Sequence, residues 1–371
     1  MAVAAELKKR HGEVRVVYIG QRGDKFARIV AENKHIDSTK LIFAGKFRRY
    51  HGESWRQLLD IKTVLLNLRD VFLIVLGCMQ SWWIMKRLSP NVVFVKGGFV
   101  GVPVGLAAAF WRIPYITHDS DALAGLANRI IAKWARIHAV ALPENVYNYP
   151  PDKTVTVGVP IAPEYRFVDT LTQENYKKQL ELSTDDQLLF VTGGGLGAKV
   201  INNALIDIAG ALLKQYPKLH IIHTAGHAHK AVIADEYARK VPQADMGRVV
   251  VKDYVTNMYI YSGAADVVIA RAGATNMAEL AVQGKACVVV PNPVLAGGHQ
   301  LKNAKAFAEA DAVILVSQAA IEKDHTALQS PVDELLGSVK KRETLGKKLH
   351  AFAYVDAAQK LAMLLLKEAK K

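Results

Sequence analysis

Leu188-Leu189-Phe190-Val191-Thr192-Gly193-Gly194-Gly195-Leu196-Gly197-Ala198, followed by a helical pattern from Lys199 to Asn203, decides how this chain is read. A run of large apolar residues ends in a glycine-rich turn that opens into a helix, the repeating unit of a doubly wound α/β sheet. Glycines at such a turn let the backbone come close to a phosphate. The free N–H groups of the following helical turn add donors and the positive end of the helix dipole. Tight packing alone can demand the same glycines, so the stretch by itself leaves both readings open.

Outward from it the pattern repeats. Strands are expected over 188–191, 220–224, 249–251, 267–270 and 286–290 in the second half, and over 14–19, 92–96, 114–117 and 139–142 in the first, with helices over 101–111 and 123–136. Short β-branched runs alternating with helical periodicity predict an α/β fold of two doubly wound, Rossmann-like domains. The Pro-rich passages Tyr149-Pro150-Pro151-Asp152 and Val159-Pro160-Ile161-Ala162-Pro163 mark the joint. This gives an N-terminal domain over 1–160, a C-terminal domain over 161–345 and a closing helical segment over 346–371.

A second stretch strengthens the phosphate reading. Arg271-Ala272-Gly273-Ala274-Thr275-Asn276 is a turn after a strand, leading into a helix closed by Gly284, with Thr275 as the candidate cap. Glu279, about one turn inside, can accept two hydrogen bonds from a ribose diol, although a capping or surface glutamate would look the same. Two helix N-termini and a diol acceptor describe a nucleoside diphosphate site.

The chain has 371 residues, 51% of them apolar and 22% charged, which excludes disorder as the dominant state. Its two cysteines, Cys78 and Cys287, are too few for a disulfide framework or a thiolate metal cluster. Net charge is +14, and residues 1–150 hold 22 Lys/Arg against 11 Asp/Glu, so most of the excess lies in the first half. That asymmetry suits a polyanionic partner, nucleic acid or an anionic membrane surface, as well as plain solubility. No recognised nucleic-acid reading module accompanies the charge, so a nucleic-acid partner is not expected.

The segment 61–85 is expected to be a helix apolar on most sides. Trp82-Trp83 suit headgroup depth, and Lys46, Arg48, Arg49, Arg56, Lys62, Lys86 and Arg87 flank it. Its longest uninterrupted apolar run, 71–79, is short of the roughly 20 residues a span needs. A core helix would account for part of the same pattern. The chain opens with a helix over 2–10, ended by His11-Gly12 with glycine as cap, where a doubly wound domain normally opens with a central strand. Two strands would then lack their shared partner, and the expectation is a rearranged sheet or residues preceding Met1.

These motifs are recognisable. Residues 193–203, 271–279 and Gly298-His299-Gln300-Leu301-Lys302-Asn303-Ala304 resemble the donor-binding half of the MurG family of N-acetylglucosaminyltransferases. Lys96-Gly97-Gly98-Phe99-Val100-Gly101-Val102-Pro103 and the stretch from His118-Asp119-Ser120-Asp121 to Asn128 resemble its other half. The resemblance implies the GT-B architecture, two Rossmann-like domains facing across a cleft. It implies inverting, metal-independent transfer of GlcNAc from UDP-GlcNAc to undecaprenyl-pyrophosphoryl-MurNAc-peptide in peptidoglycan synthesis, without a cofactor. Peripheral attachment to the cytoplasmic membrane face is implied as well.

Carried over residue by residue, it sets Gly193, Gly194 and Gly195 against the diphosphate, Val255 beside uracil, and Ala274, Thr275 and Asn276 against phosphates and ribose. Glu279 falls to the ribose and Gln300 to the donor sugar. Gly97, Gly98, Phe99, Asp121 and Asn128 fall to the acceptor. Departures stand out. The family usually has Ser-Gln where Gly195-Leu196 stand, His-Glu-Gln-Asn where His118-Asp119-Ser120-Asp121 stand, and Arg at Ala162, which Arg166 could replace. The family's glycine-rich first loop, ending in a histidine, precedes the segment resembling Met1-Ala2-Val3. Asp119 is therefore the candidate general base.

Asp119-Ser120-Asp121 also spells the metal-binding D-x-D of another glycosyltransferase fold, but in the wrong domain for it. His223, His227 and His229 lack a fourth zinc ligand nearby and read as core or solvated histidines. A diacylglycerol glycosyltransferase and a catalytically silent UDP-sugar-binding protein are the alternatives.

Overall fold

In the computed structural model, which describes residues 1–24, 27–45, 61–194, 197–226, 229–294 and 298–370, the apolar runs form parallel strands. They are β1 (Val17–Gln21), β2 (Ser38–Ile42), β3 (Val93–Val95), β4 (Tyr115–Asp119), β5 (Ile137–Val140), β6 (Thr154–Thr156), β7 (Gln187–Thr192), β8 (Leu219–Thr224), β9 (Val249–Lys252), β10 (Val267–Ala270), β11 (Cys287–Val289) and β12 (Ile314–Leu315). The chain divides into two units. One is Met1–Ala162 with Val294–His299 and Tyr354–Lys371; the other is Pro163–Pro293 with Gln300–Ala353.

The second unit carries a six-stranded sheet in the order β12-β11-β10-β7-β8-β9. Leu189 and Val191 of β7 enter the core on one face, and Leu188 and Phe190 the core on the other. Burial on both faces explains why the strand reads as a continuous apolar run rather than an alternating one. Each such side chain removed from water contributes roughly 1.5–3 kcal/mol. The winding reverses between β10 and β7, which pair in register from Val267 against Leu189 to Ala270 against Thr192. Their C-terminal ends are thus flush, and the two glycine turns leave the sheet side by side at its switch point.

In the first unit the sheet comes in two pieces, a parallel pair β1-β2 and a four-stranded β3-β4-β5-β6, with no ladder between them among the described residues. The closing helix, Ala357–Ala369, belongs here. Its Leu361 and Leu365 pack with Val3, Ile116, Ala139 and Val157, and the Ala2–Arg10 helix lies along it.

Several expectations change. The Ala2–Arg10 helix ends at an extended His11, whose N–H bonds to Leu7, so Gly12 does not act as a left-handed cap. The helix expected over 61–85 runs Ile61–Leu88 and is long and apolar enough to cross a bilayer, because the isolated polar residues along it interrupt the apolar run without breaking the helix. The helix expected over 123–136 is shorter, Leu126–Ile131, and tightens into a 3-10 turn at Ala132–Trp134.

Candidate functional site

The second unit's helices differ in how they begin. Thr170–Gln179, Gln318–Lys323 and Val339–His350 are capped by the side chains of Asp169, Ser317 and Ser338. Lys230–Lys240, Met258–Ala264 and Gln329–Leu336 have no side-chain cap, and neither do Lys199–Gln215 and Ala274–Gln283, which start at Ala198 and Gly273 and alone among these follow the neighbouring strands β7 and β10. The expected cap Thr275 is instead the second residue of its helix and exposed. Two adjacent helix ends therefore offer first-turn N–H groups that no side chain among the described residues satisfies.

The glycines separate the packing explanation from the ligand one. A Cβ on Gly193 would meet the Ala198 nitrogen at 2.4 Å, and one on Gly197 the Ala225 oxygen at 2.2 Å, so turn closure demands both. Gly194 (φ +80°) and Gly273 have nothing within 4 Å. Gly273 has ordinary extended backbone (φ −72°, ψ 134°), so neither strain nor crowding requires glycine there. The Gly194 N–H already donates to Thr192 Oγ1 at 3.2 Å, which leaves the helix starts as the main source of free donors. Gly195 lies outside the described residues.

Around these turns, Asn276 Nδ2 donates to the Arg271 carbonyl at 3.2 Å and Asn303 Nδ2 to that of Ala272 at 3.1 Å, bracing the turn after β10. Gln300 Oε1 accepts from the Asn292 N–H at 2.9 Å, which leaves the NH₂ end of this amide to meet a hydroxyl. Val255 is buried in the core, so a base beside it would meet main chain. Glu279 sits on the Ala274–Gln283 helix and accepts a hydrogen bond from the Tyr165 hydroxyl, a partner that no motif in the sequence marks.

In the first unit, Asp119 closes β4 and is 4% exposed. Its Oδ1 accepts from the Gly125 N–H at 2.9 Å and its Oδ2 from the Tyr149 hydroxyl at 2.8 Å. Burial, joined by the charge of Asp121, raises its pKa above the ordinary carboxylate value, while donors from Gly125, Tyr149 and Asn128 pull the other way. Asn128 is 1% exposed and donates to the His118 carbonyl at 2.9 Å. Its Oδ1 is buried with no hydrogen-bond partner among the described residues. The amide lies against Gly97, where even a Cβ would come within 3.5 Å of it. Gly97 and Gly98 both have positive φ, and Phe99 beyond them is half-buried.

Asp121 is half-buried, and its carbonyl accepts from Tyr147. His118 bridges the Gly158 carbonyl and Ser120, and burial lowers its pKa to about 4. Among the described residues no three His, Cys, Asp or Glu side chains are grouped to hold a metal. His223 is a core residue between Tyr237 and Asn202, His229 precedes a helix, and His227 lies outside the described residues.

The Ile61–Leu88 helix turns Asp70, Gly77, Ser81 and Met85 into its unit. Gln80 accepts from the Phe43 N–H, and the Trp82 carbonyl from Trp111 Nε1. On the opposite face Leu65, Leu68, Phe72, Val75, Met79 and Trp83 form one stripe, each 51–64% exposed. Trp82 packs on Phe110 and Trp111, with Lys86 over the indoles. Lys46, Arg48, Arg49 and Arg56 lie outside the described residues.

The glycosyltransferase family 28 N-terminal domain matches residues 1–140, and the C-terminal domain of the same family matches residues 188–361. The chain is 28% identical over 366 residues, 98% of its length and 94% of the relative's, to the UDP-N-acetylglucosamine--N-acetylmuramyl-(pentapeptide) pyrophosphoryl-undecaprenol N-acetylglucosamine transferase of Bacillus subtilis. To the protein of the same name in Geotalea uraniireducens it is 30% identical over 296 residues, covering 80% of this chain and 78% of the other. Among solved structures it is similar to MurG of Acinetobacter baumannii, with a TM-score of 0.67 and 24% identity over 99% of this chain and 94% of that one. It is also similar in fold to the calicheamicin glycosyltransferase CalG4, with a TM-score of 0.63 and 13% identity over 100% and 94% of the two chains.

Proposed function

The chain belongs to the MurG family of glycosyltransferases, and on that footing we propose how its two units share one reaction. It has the GT-B fold and is a UDP-GlcNAc-dependent N-acetylglucosaminyltransferase of peptidoglycan synthesis, moving GlcNAc onto the MurNAc of an undecaprenyl-pyrophosphoryl-linked acceptor. The second unit holds the donor. Its diphosphate lies on the unsatisfied N–H groups at the starts of the Lys199–Gln215 and Ala274–Gln283 helices, over the open space at Gly194 and Gly273. Ala274, Thr275 and Asn276 border phosphate and ribose, Glu279 takes the ribose diol, main chain at Val255 meets uracil, and the Gln300 amide meets the sugar.

The acceptor's 4-hydroxyl attacks the anomeric carbon, and UDP leaves as its growing charge is met by the two helix ends. Asp119 takes the hydroxyl proton; a carboxylate has about four lone-pair sites, and the donors from Gly125, Tyr149 and Asn128 leave one for the acceptor hydroxyl. Asn128 Oδ1 accepts from the acceptor sugar at the edge made by Gly97, Gly98, Phe99 and Asp121.

The protein docks on the cytoplasmic face of the membrane through the exposed stripe of the Ile61–Leu88 helix, lying along the bilayer rather than across it. A helix that buries Asp70 and bonds to Phe43 and Trp111 is tied into its unit along the other face.

The observation that carries the reading is the pair of adjacent, uncapped helix starts at the β7/β10 switch point. The test offers radiolabelled UDP-GlcNAc with a lipid-linked MurNAc-peptide or with diacylglycerol. Label entering the former alone is expected; label entering diacylglycerol, or neither, overturns it.

A further inference from the structure

The segment between Pro163 and the Thr170–Gln179 helix runs along the Ala274–Gln283 helix and is pinned to it. The Val168 N–H donates to the Gln283 carbonyl at 3.3 Å, and the Phe167 ring lies over Gly284, where a Cβ would come within 2.9 Å of it. One helical turn back from Gln283 is Glu279, and there Tyr165 sits, its hydroxyl donating to the carboxylate. The Tyr165 ring packs edge-on against Tyr259 at 6.1 Å, and Tyr259 edge-on against Tyr176 at 6.0 Å. Gln283 Nε2 holds the Tyr259 carbonyl at 2.7 Å, and its Oε1 accepts from Ser262 at 2.6 Å. The Tyr165 side chain is thus held at its ring by Tyr259 and at its hydroxyl by Glu279, on a segment anchored at Val168.

We propose that Tyr165 is a positioning residue for the donor nucleotide, its hydroxyl holding the Glu279 carboxylate in the one orientation that presents its remaining lone pairs to a ribose 2′,3′-diol. The inference rests on Glu279 being the ribose acceptor. A glutamate on a helix surface otherwise samples several rotamers and loses that freedom when a ligand binds, so a group already held recognises the diol at smaller entropic cost. A carboxylate accepts about four hydrogen bonds, and one donor from Tyr165 leaves enough for both diol hydroxyls. Burial, then the charge of Glu279, keeps the Tyr165 hydroxyl protonated far above the ordinary phenol range. It therefore remains a donor at neutral pH. Discrimination between ribo- and 2′-deoxyribonucleotides is the property this arrangement sets.

The experiment is calorimetric titration of the full chain, as wild type, Tyr165→Phe and Glu279→Ala, with UDP and with 2′-deoxy-UDP. Tyr165→Phe is expected to weaken UDP three- to tenfold, leave 2′-deoxy-UDP within twofold and leave kcat at saturating donor unchanged. Glu279→Ala is expected to bring the two affinities close together. If Glu279→Ala loses the discrimination while Tyr165→Phe binds both nucleotides like wild type, or weakens both equally, the positioning role is wrong and the ribose reading stands. If Glu279→Ala keeps the discrimination, the ribose reading falls and the role of Tyr165 with it.

Discussion

Tyr149 donates its hydroxyl to Asp119 Oδ2 at 2.8 Å while its ring lies stacked on the His138 imidazole, centroids 4.0 Å apart. Burial and the neighbouring carboxylate hold the phenol well above its ordinary range, so this hydrogen bond persists at neutral pH and works against the burial that raises Asp119. Removing the donor leaves burial less opposed. Tyr149→Phe should therefore move the acidic limb of the kcat against pH profile upward. Asp119→Ala should lower kcat at least 100-fold with UDP affinity unchanged. Turnover by Asp119→Asn at near wild-type rate would remove Asp119 from proton transfer.

The two kinds of glycine separate in a stability measurement. Gly273→Ala puts a methyl group into open space at unstrained backbone, so its thermodynamic cost should stay near 1 kcal/mol, the usual loss for alanine at a helix start. UDP affinity should fall at least tenfold, because the methyl occupies the phosphate's approach. Gly197→Ala meets the Ala225 oxygen and needs φ +75°, and should destabilise the second unit by more than 2 kcal/mol. Denaturant titration beside UDP calorimetry reads both.

Phe72→Ser with Trp83→Ser removes two of the largest exposed groups of the Ile61–Leu88 helix. Each is worth about 1.5–3 kcal/mol of transfer to a bilayer, so flotation with anionic vesicles should drop at least 100-fold. Transfer to a water-soluble acceptor analogue and the thermal midpoint should be unchanged. Retained flotation would place the membrane contact elsewhere.

His118, His138 and His223 are each held neutral by burial, with pKa lowered from 6.5 to about 4. Below about pH 6.5 the unfolded chain takes up protons that the folded one refuses. The stability these histidines contribute is complete above pH 6.5 and is lost as pH falls toward 4. Thermal unfolding followed from pH 7.5 to 4 should show the midpoint falling across that window. A flat profile would show that the imidazoles reach water.

Much of the second unit was legible in the sequence because β7 and β10 are buried on both faces and so read as continuous apolar runs leading into glycine turns, while β8 keeps an apolar Leu219-His220-Ile221-Ile222 stretch ahead of Gly226. β2, Ser38-Thr39-Lys40-Leu41-Ile42, was not, since it is polar at three of five positions. β6 is three residues between the two Pro-rich passages taken for a joint, and β12 is two residues long. Boundaries set by hydrogen bonds rather than by side chains, such as the start of the Ala274–Gln283 helix at Gly273 instead of Thr275, escape residue preferences. Tyr149 and Tyr165 escaped for another reason: each meets its carboxylate only through the tertiary fold, from 30 positions away for Tyr149 and Asp119.

The bare starts of the two helices after β7 and β10 make the empty protein an unfinished one. On the proposed reading, a nucleoside diphosphate arriving there supplies the caps that the polypeptide omits, and at a hundredfold excess over its Kd adds about 2.7 kcal/mol to the folded state. On that same reading, resistance to proteolysis rises with donor concentration, since the ligand-free form is the one that opens more readily.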